Sequence, residues 1–79
     1  MPRYYFHLEG RGSDLTDEDG ITLPDAEAAW YQAVRSAREL LRADLQLGTS
    51  WQDRAVAIRD ERGTPVALIP LEDIAAYAM

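Results

Sequence analysis

The stretch DAEAAWYQAVRSARELLRADLQL, Asp25 to Leu47, decides the fold. Ala26, Ala29, Trp30, Ala33, Val34, Ala37, Leu40, Leu41 and Leu45 recur at steps of three and four, which places them on one face of an α-helix. Gln32, Arg35, Ser36, Arg38, Glu39, Arg42 and Gln46 fall mostly on the other side. Such a helix spans roughly 35 Å at ~1.5 Å per residue. Pro24 and Asp25 start it. The Asp25 carboxylate accepts a hydrogen bond from a first-turn N–H, and Glu27 suits the positive end of the helix dipole. Gly48 ends it, because glycine takes the left-handed conformation at no steric cost. Trp30 and Leu41 are expected in the core on this reading.

The flanking segments read as strands that need that apolar face as cover. Arg3 to Glu9, RYYFHLE, is the first, with Tyr4, Phe6 and Leu8 directed at the core and Arg3, Tyr5, His7 and Glu9 opposite. Gly10 to Gly20 is an acidic loop, and Ile21 to Leu23 is a short strand pairing back on the first. After the helix, Thr49 to Asp53 connects to Arg54–Asp60, RAVAIRD, in which Val56 and Ile58 share one face. Asp60-Glu61-Arg62-Gly63 is a hairpin turn. Thr64 to Leu71 returns, with Val66 and Leu68 expected in the core and Ala67 and Ile69 on the other face. Pro65 and Pro70 lack donors and mark an edge strand. Leu71 to Met79 forms a short final helix. Alternating directions predict one α+β domain over residues 1–79, β-β-α-β-β, with an antiparallel sheet in order 2-1-3-4 under a single long helix.

The opening MPRYYFH, the DEDG-I-T-LPD segment and the AA…A…SARELL helix resemble a family of small bacterial proteins that begin M-P-R-Y-aromatic-F-H. That family is catalogued as a domain of unknown function and is common in alphaproteobacteria. The resemblance runs from Met1 to about Leu71 and is most specific over Met1–His7. It implies a bacterial α+β domain and brings no activity with it.

Composition narrows the function. Seventy-nine residues bury a small core, about 60% of the unfolded surface. The absence of cysteine excludes disulfides and thiolate metal sites, and fits a reducing cytoplasm. Met1 is followed by strand-like sequence rather than a secretory signal, and no apolar run approaches the ~20 residues of a membrane span. A net charge of −6 disfavours a polyanion as partner.

Each candidate site has a plainer reading. Asp14, Asp17, Glu18 and Asp19 invite calcium, but with Gly20 as sixth position of an EF-hand loop, the first is Leu15 and the twelfth Ala26, and neither offers a carboxylate. A solvated turn is the expectation, with no metal and no cofactor. Gly10-Arg11-Gly12 lacks a P-loop lysine, since the eight basic residues are all arginine. His7 has no cysteine to activate, and Ser13, Ser36 and Ser50 sit in no nucleophile elbow, so it reads as a structural or interface histidine. Arg35, Arg38 and Arg42 form a stripe that can meet an anion or an acidic partner, or stand solvated and partly neutralised by Glu39.

The uncovered sheet face carries the leading expectation. Tyr5, His7, Ala57, Ala67 and Ile69, with Arg3 and Arg59 at its margin, make an apolar patch. The tail residues Ile74 and Tyr77 extend the apolar surface, either by folding over the sheet or by sealing a two-fold contact. A non-enzymatic protein-interaction or self-association module follows, with a homodimer favoured. RNA-binding sheets also stack bases on such aromatics, and the alternative is a nucleic-acid-linked regulator of the small antitoxin type. A third reading makes His7 and Tyr5 an acid–base pair.

Overall fold

The computed structural model describes residues 1–10, 15–48 and 51–78, the last two by backbone alone. Arg11, Gly12, Ser13, Asp14, Thr49, Ser50, Met79 and the Tyr77 side chain therefore lie outside the described residues. The elements run β1 (Arg3–Glu9), β2 (Ile21–Thr22), α1 (Ala26–Leu47), β3 (Ala55–Arg59), β4 (Pro65–Pro70) and α2 (Leu71–Ala78). The sheet is antiparallel in order β2-β1-β3-β4, as expected.

Both ends of α1 follow from local chemistry. Asp25 sits at the N-cap in extended backbone and accepts from the Ala28 N–H at 2.9 Å. Gly48 ends the helix at φ 71°, its N–H donating to the Asp44 carbonyl.

The buried seam of α1 is Ala29, Ala33, Ala37, Leu41 and Asp44. This corrects the sequence expectation. The seam is centred on the small residues, so Trp30 and Leu45 lie at its margins and are exposed, while Ala26, on the seam's own azimuth, is exposed as the first residue of the helix. Alanine methyls let the helix approach β3, where Val56 and Ile58 are wide and fully packed. Leu41 is buried as expected, and Val34 and Leu40 flank the seam.

A second correction concerns β4. Arg59 pairs with Pro65, yet Ile58 pairs with Ala67 and Val56 with Ile69. Val66 is the extra residue of a bulge, and one extra residue exchanges the two faces of every position beyond it. Ile69 therefore joins the core beneath α1 with Ala67 beside it, while Leu68 faces away and is exposed. The turn that sets this register is tied by Asp60. Its N–H donates to the Thr64 carbonyl at 3.0 Å, and its Oδ1 accepts from the N–H groups of Arg62 and Thr64 at 2.9 Å each.

α2 lies beside α1 on the covered side of the sheet. Leu71, Ile74 and Ala75 are buried in the same core, and the Leu71 N–H donates to the Arg54 carbonyl at 2.9 Å. The tail thus completes the helical layer instead of folding over the open sheet face. Leu71 and Ile58 are the largest fully buried side chains.

Asp44 is 5% exposed, and both of its carboxylate oxygens accept from Arg54 Nη1, at 2.6 and 2.7 Å. The pair ties the last turn of α1 to the residue that leads into β3. Hydropathy passes over it, because Leu45 next door is the apolar choice.

Candidate protein-docking site

The bulge and the rotation of α1 together shape a concavity on the described surface. With Trp30 pushed to the margin of the helix and α2 packed alongside, a groove of about 460 Å³ opens between α1, the edge strand β4 and α2. Trp30, Val34, Leu68, Ile69 and Ile74 form its walls, and Arg38 and Asp73 are its two charged residues. Trp30 meets Tyr31 edge-to-face, with ring centroids 5.4 Å apart. Such an arrangement sets the positive edge of one ring against the negative face of the other. Trp30 remains 47% exposed and Tyr31 59% exposed, so the pair presents its rings to solvent rather than to the core. Tyr31 escaped the sequence reading, which counted Trp30 as a core residue. The signal was present, since Tyr31 falls two residues after Ala29 and two before Ala33, on the far side from the alanine seam.

The open sheet face differs from the expectation, with the exposed Leu68 on it in place of Ala67 and Ile69. Ala67 and Ile69 have left it for the helical side, and Ile74 is in the core. Ala57 remains on it but is buried between its cross-strand neighbours His7 and Leu68. Tyr5 and His7 are half-buried there, and Arg59 donates to the Gly63 carbonyl at 3.0 Å.

A family model described as Domain of unknown function (DUF6894) matches residues 3–72. The chain belongs to this family. The matched span holds all four strands and α1, while Asp73 and Ile74 of the groove wall follow it. No curated protein and no solved structure matches the chain.

His7 is held by the acidic loop. Its Nδ1 accepts the Asp17 N–H at 2.9 Å. The Asp17 carboxylate in turn accepts from Phe6, Asp19 and Gly20 N–H groups, each at 3.1 Å. Burial alone raises this carboxyl, but the N–H groups of Phe6, Gly20 and Asp19, with the attraction of His7, outweigh burial and hold it below its ordinary value. Gly20 closes the staple. It sits at φ 71°, and a Cβ there would stand 2.9 Å from the Tyr4 carbonyl oxygen and from the Tyr5 ring. The turn is therefore a built anchor for β1. Beside it lies a shallow depression of about 260 Å³ lined by His7, Leu8, Glu9, Leu15, Thr16 and Arg59. His7 and Tyr5 occupy the same sheet face, but the Nδ1 lone pair that a general base would use is already engaged.

Arg35, Arg38 and Arg42 are all exposed on α1. None has an ion-pair partner among the described residues, and Glu39 pairs with neither neighbour. Only Arg38 enters the groove. Among the described residues no group of three His, Asp or Glu side chains comes together as a metal site, and no helix is long and apolar enough to cross a membrane.

Proposed function

We propose that this chain is a protein-interaction module without chemistry of its own, and that its contact surface is the groove between α1, β4 and α2. The Trp30–Tyr31 pair carries this reading. Trp30 stands half-exposed in the wall of an apolar groove, in edge contact with the more exposed Tyr31 outside it, an unusual expense of surface in a chain of 79 residues. Interfaces concentrate their energy in such anchors, with aromatics and arginine over-represented at their centres. The engaged Nδ1 of His7 supports the non-enzymatic half of the reading. The cysteine-free composition suits the cytoplasmic setting in which such a module would work.

A photo-crosslinking residue, p-benzoylphenylalanine, at the Tyr31 position tests this in the cells that encode the chain. A protein adduct of discrete mass is expected, lost when Trp30→Ser is added. The same residue at the exposed turn position of Arg62 is the control. No adduct at Tyr31, or equal adducts at both positions, refutes the docking surface.

The alternative of a nucleic-acid-linked regulator is favoured by one observation, the guanidinium groups of Arg35, Arg38 and Arg42, which have no ion-pair partner among the described residues. They are set against a net charge of −6. Binding of a duplex at low salt that weakens with added salt and with Arg35→Ala or Arg42→Ala would promote that reading over the first.

A further inference from the structure

The groove holds one cation and one anion, and neither is paired with another described residue. Arg38 comes from the middle of α1 and Asp73 from the first turn of α2, and neither has an ion-pair partner among the described residues. An external partner would have to bring the opposite pattern, an anion facing Arg38 and a cation facing Asp73, around an apolar anchor. A second copy of this chain brings that pattern by construction. In a two-fold contact residue i meets residue j and j meets i, so one surface supplies both halves of each pair.

We propose that the occupant of the groove is a second copy of this chain, related by a two-fold axis. Trp30 of each copy seats against the apolar wall of the other, and Arg38 of each faces Asp73 of the other. This inference rests on the docking reading above and names its partner. The exposed parts of Trp30 and Tyr31, 47% and 59%, still offer roughly 160–265 Å² per copy, taking ~150–250 Å² for a whole aromatic side chain. A standard interface occupies ~800 Å² on each partner. On a total surface of 5294 Å² that is roughly 15%. The aromatics would form the apolar centre, with the arginine–aspartate pairs toward its rim. The prolines at both ends of β4 argue against simple edge-to-edge strand pairing as the contact, because they remove donors from that edge.

Sedimentation equilibrium on the full chain tests the arrangement by charge exchange. The wild type is expected to dimerise at micromolar concentration. Arg38→Asp and Asp73→Arg should each weaken association by about tenfold or more, since each places like charges face to face twice. The double variant carrying both changes should recover to within about threefold of the wild type, because the pairs are restored with the signs exchanged. Trp30→Ser should be monomeric. Circular dichroism and urea midpoints near wild type for every variant separate lost association from lost folding. A wild type that is monomeric at hundreds of micromolar overturns the inference, as does a double variant no better than either single one. The docking reading falls separately. If the Tyr31 crosslink joins another protein while the chain stays monomeric, only the two-fold inference fails. If the crosslinker joins nothing, both fail.

Discussion

Replacing Asp44 by asparagine keeps the shape of the side chain and removes its charge. The structure makes this a severe change. The Asp44 side chain is 7% exposed and takes two short hydrogen bonds from one guanidinium nitrogen, while the Arg54 side chain retains 19% of its surface. Breaking a buried ion pair by removing one partner costs ~3–5 kcal/mol, because the other charge is left uncompensated. Arg54 keeps some access to water, so the low end applies, about 3 kcal/mol. The backbone around the pair amplifies the effect. The Arg54 carbonyl receives the Leu71 N–H, the Arg54 N–H donates to the Trp51 carbonyl at 3.1 Å, and the Asp44 carbonyl receives the Gly48 cap. One side-chain pair thus orders the junction of α1, β3 and α2. A domain of this size has ~4–12 kcal/mol of stability at ~0.05–0.15 kcal/mol per residue. The loss should lower the melting temperature by roughly 12–24 °C, at ~4–8 °C per kcal/mol. Circular dichroism melts measure it. The gap to wild type should persist in high salt, because a buried pair is poorly screened. Replacing both partners by apolar residues, Asp44→Leu with Arg54→Met, should be milder than the sum of the single changes. An asparagine variant within about 0.5 kcal/mol of wild type would refute the reasoning, since that is the scatter of ordinary surface changes.

Leu71→Ala should destabilise by ~2–5 kcal/mol, as for emptying a core position, whereas Trp30→Ala should cost less than Leu71→Ala despite its larger side chain; urea midpoints in the reverse order would mean that α2 is not part of the core. Ile69→Lys should unfold the chain while Leu68→Lys is tolerated, and the opposite ranking in thermal melts would place the bulge elsewhere in β4. Asp17→Ala should cost about 1–2 kcal/mol at neutral pH through the three lost N–H partners. Because the folded carboxyl is held below its ordinary value, that stability is present above roughly pH 4 and lost as pH falls through the lowered value. The gap between wild type and Asp17→Ala in urea midpoint should therefore close on acidification below about pH 4, and a gap unchanged at pH 2 would remove the staple from the account.

The sequence by itself determined the element types, the sheet order and the ends of α1. These depend on interactions between near neighbours. A 3.6-residue period, an aspartate before the first turn, a glycine after the last and a two-residue alternation all act within a few positions of one another. Strand order then followed from chain direction and short connections. The packing decided which azimuth of α1 faces the sheet. An apolar arc wide enough to include Trp30, Val34 and Leu45 has more than one centre, and size against β3 chose the alanines at 29, 33 and 37. Once that choice was made, Asp44 fell on the buried seam and needed Arg54 from outside the helix, a partner no helical period can name. The faces of β4 were decided the same way. Alternation carries no information about an inserted residue, and Val66 became one because the turn at Asp60 and the pairing with β3 demanded it. The candidate groove depends on all of these outcomes at once, with Trp30 at the margin, Ile69 turned inward and α2 beside α1, so it exists only in the folded chain. Local periodicity constrains directions along a segment, whereas the fit between segments depends on volume and register summed across the whole core.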